Sequence, residues 1–495
     1  MIRSAQAMQP GLNNTFARKK QYMKRPGGIL TALLFATNLI AQQAPVNIST
    51  TSLKKDFSIF RAALTEAHPG LYTYHDSSYW TKRFKETAEQ LTHPLTELAF
   101  YRLLAPLVAD IKCGHTKWHR NGHPEDLYAF YQTGLFPLKL YFRDAKAYVV
   151  GEYRKTNIPQ GAEIIGINNN DMATVAARLK TNIPADGVVE SARRQMLGEQ
   201  FAGYYASFIG PSFSFTINYR LKNGTVKTTV VPSVDVATIR NHNTPATHDT
   251  LSVSFPAKGV ALMRIPVFMP QEGGPEWESF LATAFHRIRQ ANAESLILDL
   301  RNNEGGIDQW GARLFAWFTD KPFRYYNRLT VVSDRDFSFR QYASLPEQYD
   351  QLKAFIKKQG NEYIFTLHPN LDIQQPQQDP FKGKLYVLIN GRSFSVTSEF
   401  AAIARDQHRA VFVGEESGGT IEGNNSGGFV IVKLPNTGLT LGIPLLRYHM
   451  SLNEKYPLGR GIIPDHIVAS QPADIIKGKD AVLEKTLSLI RDQGK

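Results

Sequence analysis

Apolar residues in the first quarter of the chain recur at helical spacing. Phe57, Phe60 and Leu64 form one stripe, Phe84, Ala88 and Leu91 a second, and Phe100, Leu103, Leu104, Leu107 and Val108 a third. Three short helices are therefore expected between about Ser52 and Ile111, with His68-Pro69-Gly70 separating the first two. Further on the pattern shortens to that of strands. Phe136 to Tyr141 and Ala147 to Val150 read as strands, Ile164 to Ile167 leads through a turn into a helix ending at Leu179, and Ser214 to Leu221 with Lys227 to Val231 flanks Asn223-Gly224 as a hairpin. An insertion carrying Arg193, Arg194 and Tyr204 separates that helix from the hairpin. Residues 236–250 have no periodicity and read as a linker.

From there strands and helices alternate. Val260 to Ile265, Leu296 to Leu300, Leu385 to Ile389 and Val411 to Val413 are short apolar runs of the buried-strand kind. Between them Trp277, Leu281, Ala284 and Ile288 mark one helix, Trp310, Leu314 and Phe318 a second, and Val396, Phe400 and Ile403 a third, which predicts a sheet of the α/β class. The stretch from Tyr325 to Gln378 interrupts this alternation and reads as a lid or a surface insertion. Phe429 to Leu434 and Leu439 to Leu446 flank a second hairpin turn, and Ala481, Leu483, Leu487 and Ile490 indicate a terminal helix.

The chain of 495 residues is long enough for two to four domains. Its formal charge of +13 raises the question of nucleic acid. Arg3, Arg18, Lys19, Lys20, Lys24 and Arg25, which supply nearly half of that excess, precede an apolar run from Ile29 to Ile40 that ends at Ala41. This is the layout of a cleaved signal peptide, and the remaining basic residues are scattered among acids, so no nucleic-acid partner is expected. The run is shorter than the ~20 residues a bilayer span needs, so no stable membrane anchor is expected, and a periplasmic or secreted protein is. Cys113 is the sole cysteine, which leaves no intramolecular disulfide.

Candidate chemistry collects where the strands end. Leu385 to Ile389 runs through Gly391-Arg392-Ser393-Phe394-Ser395 into a helix, a junction that lifts a side chain to the sheet's end beside unpaired helical N–H groups. Read alone, Ser395 is an N-cap. The other two strands end in Gly305-Gly306 and Gly418-Gly419, and three such ends suggest one polar crevice. His115, His119 and His123 lie near Cys113, and two histidines four apart on a helix can bind zinc, but the intervening glycines and Pro124 argue against a helix there.

Four ordered motifs, ILDLRNNEGG, NGRSFSVTSEFA, VFVGEESGG and GRGIIPD, resemble the carboxyl-terminal processing (tail-specific) serine peptidase family from about Gly259 onward. The resemblance implies Ser395 as nucleophile and backbone N–H groups of Val396 and of Gly305-Gly306 as the oxyanion hole. The general-base lysine of the processing branch is missing, since Ser417 to Gly423 contains none. The chain is closer to the tricorn-like branch, which takes its base from an upstream histidine, and Asp110-Ile-Lys-Cys-Gly-His115-Thr resembles that branch's stretch. A neutral imidazole near pH 7 is a chemically sensible base. A glutamate before the closing motif supports the site in that branch; here Glu454 is the candidate, with Tyr456 and Glu415 as alternatives.

The expected fold class is α/β multidomain: a signal peptide over 1–41, a helical N-terminal lobe over 42–124, a PDZ-like β-rich domain over 125–235, a linker over 236–250 and a crotonase-like α/β peptidase domain over 251–495. The expected activity is a serine endopeptidase acting on protein or peptide substrate, with no metal or organic cofactor implied. The alternative is an inactive peptide-binding protein on the same scaffold, and the two are told apart by whether His115 reaches Ser395.

Overall fold

The computed structural model describes residues 46–120, 123–124, 126–242 and 250–493. The expected signal peptide lies outside the described residues. The three expected helices are present as α1 (Thr50–Ala67), α2 (Ser77–Glu89) and α3 (Glu97–Asp110). Each starts at a side chain that takes up an orphan amide: Ser49 accepts from the Ser52 N–H, Asp76 from Tyr79 and Thr96 from Ala99. Their stripes bury Phe57, Phe60, Trp80, Phe84 and Phe100.

Asp56, on the same buried face of α1, is fully enclosed and is the acceptor of a dense set of hydrogen bonds. The amides of Asn436 and Thr437 donate to it at 3.1 and 2.7 Å, and Asn436 Nδ2 and Thr437 Oγ1 donate at 2.7 Å each. This ties α1 to the distant Pro435–Gly438 turn. Asp56→Ala would strand those donors in the interior, and we expect a loss of about 3 kcal/mol or more of stability, read from the urea midpoint.

The β-rich region is a six-stranded antiparallel sheet in which five strands follow in sequential order, β1 (Leu138–Arg143), β2 (Lys146–Glu152), β3 (Glu163–Ile167), β4 (Ser214–Arg220) and β5 (Val226–Pro232), and the two-residue strand Asn170–Asp171 pairs with β3. Burial alternates along β1 and β4, the signature of a sheet with one face on a core. Between β3 and β4 lie α4 (Met172–Lys180), α5 (Glu190–Glu199) and α6 (Phe201–Phe208). Every residue of α6 is buried, so the insertion is a structural layer. One apolar core runs through α1 to α6, this sheet and the hairpin strands Val430–Lys433 and Thr440–Ile443. The stretch read as an aperiodic linker contains α7 (Val236–His242), which buries Val236 and Ile239.

A second sheet has the spatial order β6 (Ser252–Ala257), β7 (Val260–Arg264), β8 (Ser295–Asp299), β9 (Lys384–Ile389), β10 (Ala410–Gly414) and β11 (His466–Ile467). All neighbouring pairs from β7 to β11 are parallel, and β6 is antiparallel at the edge. Leu296, Leu298, Leu385 and Val387 face the core shared with α8 (Trp277–Gln290), α9 (Asp308–Phe315) and α10 (Val396–Asp406). Ile297, Tyr386 and Leu388 face the other side with Val482 of α11 (Ala481–Gln493). Coverage on both faces is why these strands read as unbroken apolar runs.

Residues 325–378 are neither a lid nor a surface insertion as a whole. Tyr326–Val331, Ile356–Gln359 and Glu362–Phe365 form an antiparallel sheet with Leu446–Met450 and Asn425–Ser426, and Tyr325, Tyr326 and Leu329 are fully buried. The long strand expected from Leu439 to Leu446 is broken at Pro444, which has no N–H for a ladder. Thr440–Ile443 therefore stays with Val430–Lys433, and Leu446–Met450 crosses to the other sheet. Lys117–Arg120 pairs with the free side of Thr440–Ile443, and this pairing carries His115 toward the parallel sheet.

Candidate active site

The turn between β9 and α10 is held from several sides. Ser393 Oγ accepts from the Asn390 N–H at 3.0 Å and donates to the Leu300 carbonyl at 2.9 Å. The Gly418 N–H donates to the Ser393 carbonyl at 2.8 Å, and the Phe394 N–H to the Asn303 carbonyl at 3.0 Å. The next residue, Ser395, is forced to φ 57° and ψ −128°. For a residue with a Cβ this costs roughly 1–3 kcal/mol and persists only where the surroundings over-determine it. Ser395 stands at the N-cap position of α10 but makes no capping hydrogen bond. Its Oγ lies 3.1 Å from His115 Nε2 instead.

His115 follows α3 in the turn that leads into Lys117–Arg120. The Gly114 N–H donates to Asp186 Oδ1 at 2.7 Å, fixing the backbone beside the ring. The imidazole leans on Phe394, with ring centroids 4.4 Å apart, and Phe429 lies at 6.3 Å. Burial first, and the Lys117 charge second, push its pKa down to about 3. At neutral pH the ring is therefore uncharged, the form able to accept a proton from a hydroxyl. His119 stands on Lys117–Arg120 opposite Thr440, and His123 on the neighbouring His123–Pro124 strand, so the helical zinc pairing does not form. Cys113, His115 and Asp186 have ligand-type atoms within 4.8 Å of one another. Burial pushes the Cys113 thiol up to about 12, and one Asp186 oxygen is already bonded to Gly114.

Two amides border Ser395. Val396 is the first residue of α10, so its N–H has no partner within the helix. The Gly306 N–H likewise has no hydrogen bond among the described residues. Gly305 differs from the sequence expectation: its N–H donates to Asn303 Oδ1 at 2.9 Å and is not available to a ligand. Asn303 is itself fully buried and donates through Nδ2 to the Ile265 carbonyl at 2.8 Å. Gly305 matters for its missing side chain. At φ 96° a Cβ there would stand 2.7 Å from Ser395 Cβ and 2.9 Å from the Val396 nitrogen.

The structure does not bring Glu454 to His115. Glu454 pairs with His408 at 3.1 Å, accepts from Tyr456 at 3.3 Å, and its N–H donates to Asp406 at 3.0 Å. Asp406 is buried at the C-terminal end of α10 and captures this loop there, about 16 Å of helix away from Ser395. Tyr456 shares that location. Glu415 is paired with Arg194. Asp186 reaches the His115 turn and Asn303 braces Gly305, and neither stands out in the sequence as a candidate. The signal for Asn303 was its place before Glu304-Gly305-Gly306; for Asp186 only a Pro-Ala-Asp-Gly turn was visible.

Under the first turn of α10, Glu399 accepts from Tyr326 at 2.6 Å and from Asn424 at 2.8 Å. Burial first, and Asp308 second, push its carboxyl up to about 8 from 4.5. Between those values the folded state holds a proton that the unfolded state releases, so this group lowers stability as pH rises through that window. Glu399→Gln should remove that component. The stability of the variant relative to the parent is expected to grow by up to a few kcal/mol from pH about 4.5 to about 8, measured by denaturation across pH.

Residues 259–468 match the model of peptidase family S41. The match lies in the α/β part of this chain. A Chlamydia trachomatis protein is 25% identical over 224 residues and a Chlamydia muridarum protein 28% identical over 225 residues. Each match covers 36% of this chain and 36% of the relative, so the chain spans little more than a third of the length of these relatives. The crystal structure of mature CPAF superposes with a TM-score of 0.64 at 18% identity, covering 90% of this chain and 99% of that one. Mature CPAF complexed with lactacystin gives 0.64 at 17% identity, covering 89% and 98%. The likeness is one of fold, and it extends beyond residues 259–468 to the helices and the antiparallel sheet before them.

Proposed function

We propose that this chain is a serine endopeptidase acting on protein or peptide substrates. The observation that carries the reading is the 3.1 Å contact between His115 Nε2 and a Ser395 Oγ that does not cap its helix. In this reading Oγ attacks the peptide carbonyl carbon as Nε2 takes its proton, giving a tetrahedral oxyanion and an imidazolium. The C–N bond then breaks, the imidazolium protonates the leaving amine, and an acyl-enzyme on Ser395 remains. Water repeats the cycle in reverse roles, releasing the acid and restoring Ser395. The Val396 and Gly306 N–H groups are the donors for the oxyanion; one such donor is worth roughly 3 kcal/mol of barrier. No lysine hydrogen-bonds Ser395 Oγ among the described residues, which favours His115 as the base.

The antiparallel sheet with α4 is proposed as a PDZ-like module that docks an extended peptide, and the segment before residue 42 as a signal peptide, giving a periplasmic or secreted enzyme. Among the described residues no helix is long and apolar enough to cross a membrane. The test of the activity is digestion of an unfolded protein followed by mass spectrometry of the products. Internal cleavage that a serine-directed fluorophosphonate blocks and a chelator does not is the expected result. No cleavage at any pH, or cleavage that a chelator stops, would contradict the reading.

A further inference from the structure

The pairing of Ser395 with His115 leaves two buried atoms unaccounted for. His115 Nδ1 and Asp186 Oδ2 are sealed from solvent, and among the described residues neither has a hydrogen-bond partner. A ring nitrogen of His115, a carboxylate oxygen of Asp186 and Cys113 Sγ lie within 4.8 Å of one another. An unpaired polar atom in the interior carries a desolvation penalty of about 1–3 kcal/mol, more when charged, so orphans of complementary kind on neighbouring side chains point to a bond made in the working enzyme.

The backbone holds Asp186 at this place. The Gly114 N–H binds its other oxygen at 2.7 Å. The Gly187 N–H donates to the Lys112 carbonyl at 3.0 Å, and the Val188 N–H to the Gly459 carbonyl at 2.8 Å. Gly187 sits at φ 53° with no room for a Cβ against Gly459. The segment that carries Asp186 is thus clamped between the His115 turn and the Gly459-Arg460-Gly461 motif.

We propose that Asp186 is the positioning residue of this centre: its carboxylate accepts the Nδ1 proton of His115, directly after a small side-chain rotation or through one bridging water. The inference rests on the reading of Ser395 as nucleophile and His115 as base. With the Nδ1 proton held, Nε2 is left as the acceptor facing Ser395. That proton stays on the ring throughout; as Nε2 takes the serine proton, the imidazolium forms beside a carboxylate that stabilises it. A protonated Asp186 would donate to Nδ1 instead and leave the ring proton on Nε2, the tautomer that cannot accept from Ser395.

Burial first, and Glu422 in the same direction, push the Asp186 carboxyl up to about 7, against the lowering effects of the Gly114 N–H, Lys117 and Arg193. The other titratable or charged groups around it are the Cys113 thiol, and Tyr74, Lys112 and Arg447 in the pocket it shares with Glu422. The change of tautomer therefore falls near neutral pH.

The experiment is a pH profile of kcat/KM on a quenched peptide for the parent, Asp186→Asn, Ser395→Ala and His115→Ala. Asparagine keeps an oxygen for the Gly114 N–H. We expect Asp186→Asn to lower kcat by about 10³-fold or more with KM within a few-fold, and to shift the parent's acid limb near pH 7 to lower pH. A purely structural role would lower the melting temperature and leave the limb in place. Parent-like kcat with an unchanged limb, beside inactive Ser395→Ala and His115→Ala, would remove Asp186 and keep the serine–histidine pair. Parent-like activity of Ser395→Ala would end that reading and the inference with it. A second measurement needs no variant. The parent should show a far-downfield proton resonance for the His115 ring N–H above neutral pH that is lost on acidification, and its absence above neutral pH would overturn the proposal.

Discussion

Ser395→Ala is expected to lower kcat/KM for peptide hydrolysis by at least ~10⁴-fold while leaving the fold intact. The size follows from the chemistry: without Oγ no acyl-enzyme forms, and the amides that remain can only polarise a carbonyl that water attacks unaided. The intact fold follows from the structure. Ser395 Oγ caps nothing, its one partner among the described residues is His115 Nε2, and the backbone at φ 57° is imposed by bonds to Ser393 and Phe394 that alanine does not touch. Melting temperatures of parent and variant should agree within a few degrees. A large drop in melting temperature together with lost activity would mean that the hydroxyl is structural, as an ordinary cap would be.

Gly305→Ala is also expected to have a large effect, though residue 305 contributes no donor. A methyl group there would stand 2.7 Å from Ser395 Cβ and 2.9 Å from the Val396 nitrogen, so it pushes on the nucleophile and covers the amide proposed to receive the oxyanion. Loss of one such donor costs roughly 10²–10³ in kcat, and displacement of the serine adds to it. We expect a fall of about 10³-fold in kcat, with stability reduced by about 1–3 kcal/mol because alanine is strained at φ 96°. Gly305→Ala with parent-like kcat would show that the oxyanion is held elsewhere.

What could be read from the residues follows from where their partners lie. The β8, β9 and β10 strands declare themselves because both faces are covered and the apolar runs have no interruption. Ser395 was legible as a candidate because its turn sits between such a strand and a helix, but the hydroxyl's partner was not, since that depends on Lys117–Arg120 pairing with a strand more than three hundred residues on. Glu454 shows the limit of spacing as a guide. It lies close in sequence to the closing motif, yet a buried Asp406 draws its loop to the far end of α10. Asp186 was hidden for the opposite reason: its Pro-Ala-Asp-Gly turn looks like any exposed loop, and its burial arises only when Gly187 packs on Gly459. The segment 325–378 is not legible from its residues because its strands are short and find their partners in Leu446–Met450 and Val430–Lys433, far along the chain.

The most direct test of the account is the rate at which a serine-directed fluorophosphonate labels the native protein, compared with Ser395→Ala and His115→Ala. A serine made nucleophilic by a neutral imidazole 3.1 Å away should react in the parent, fail to react in Ser395→Ala, and react at least ~10²-fold more slowly in His115→Ala. A parent that does not label, or a His115→Ala variant that labels as fast as the parent, would contradict it.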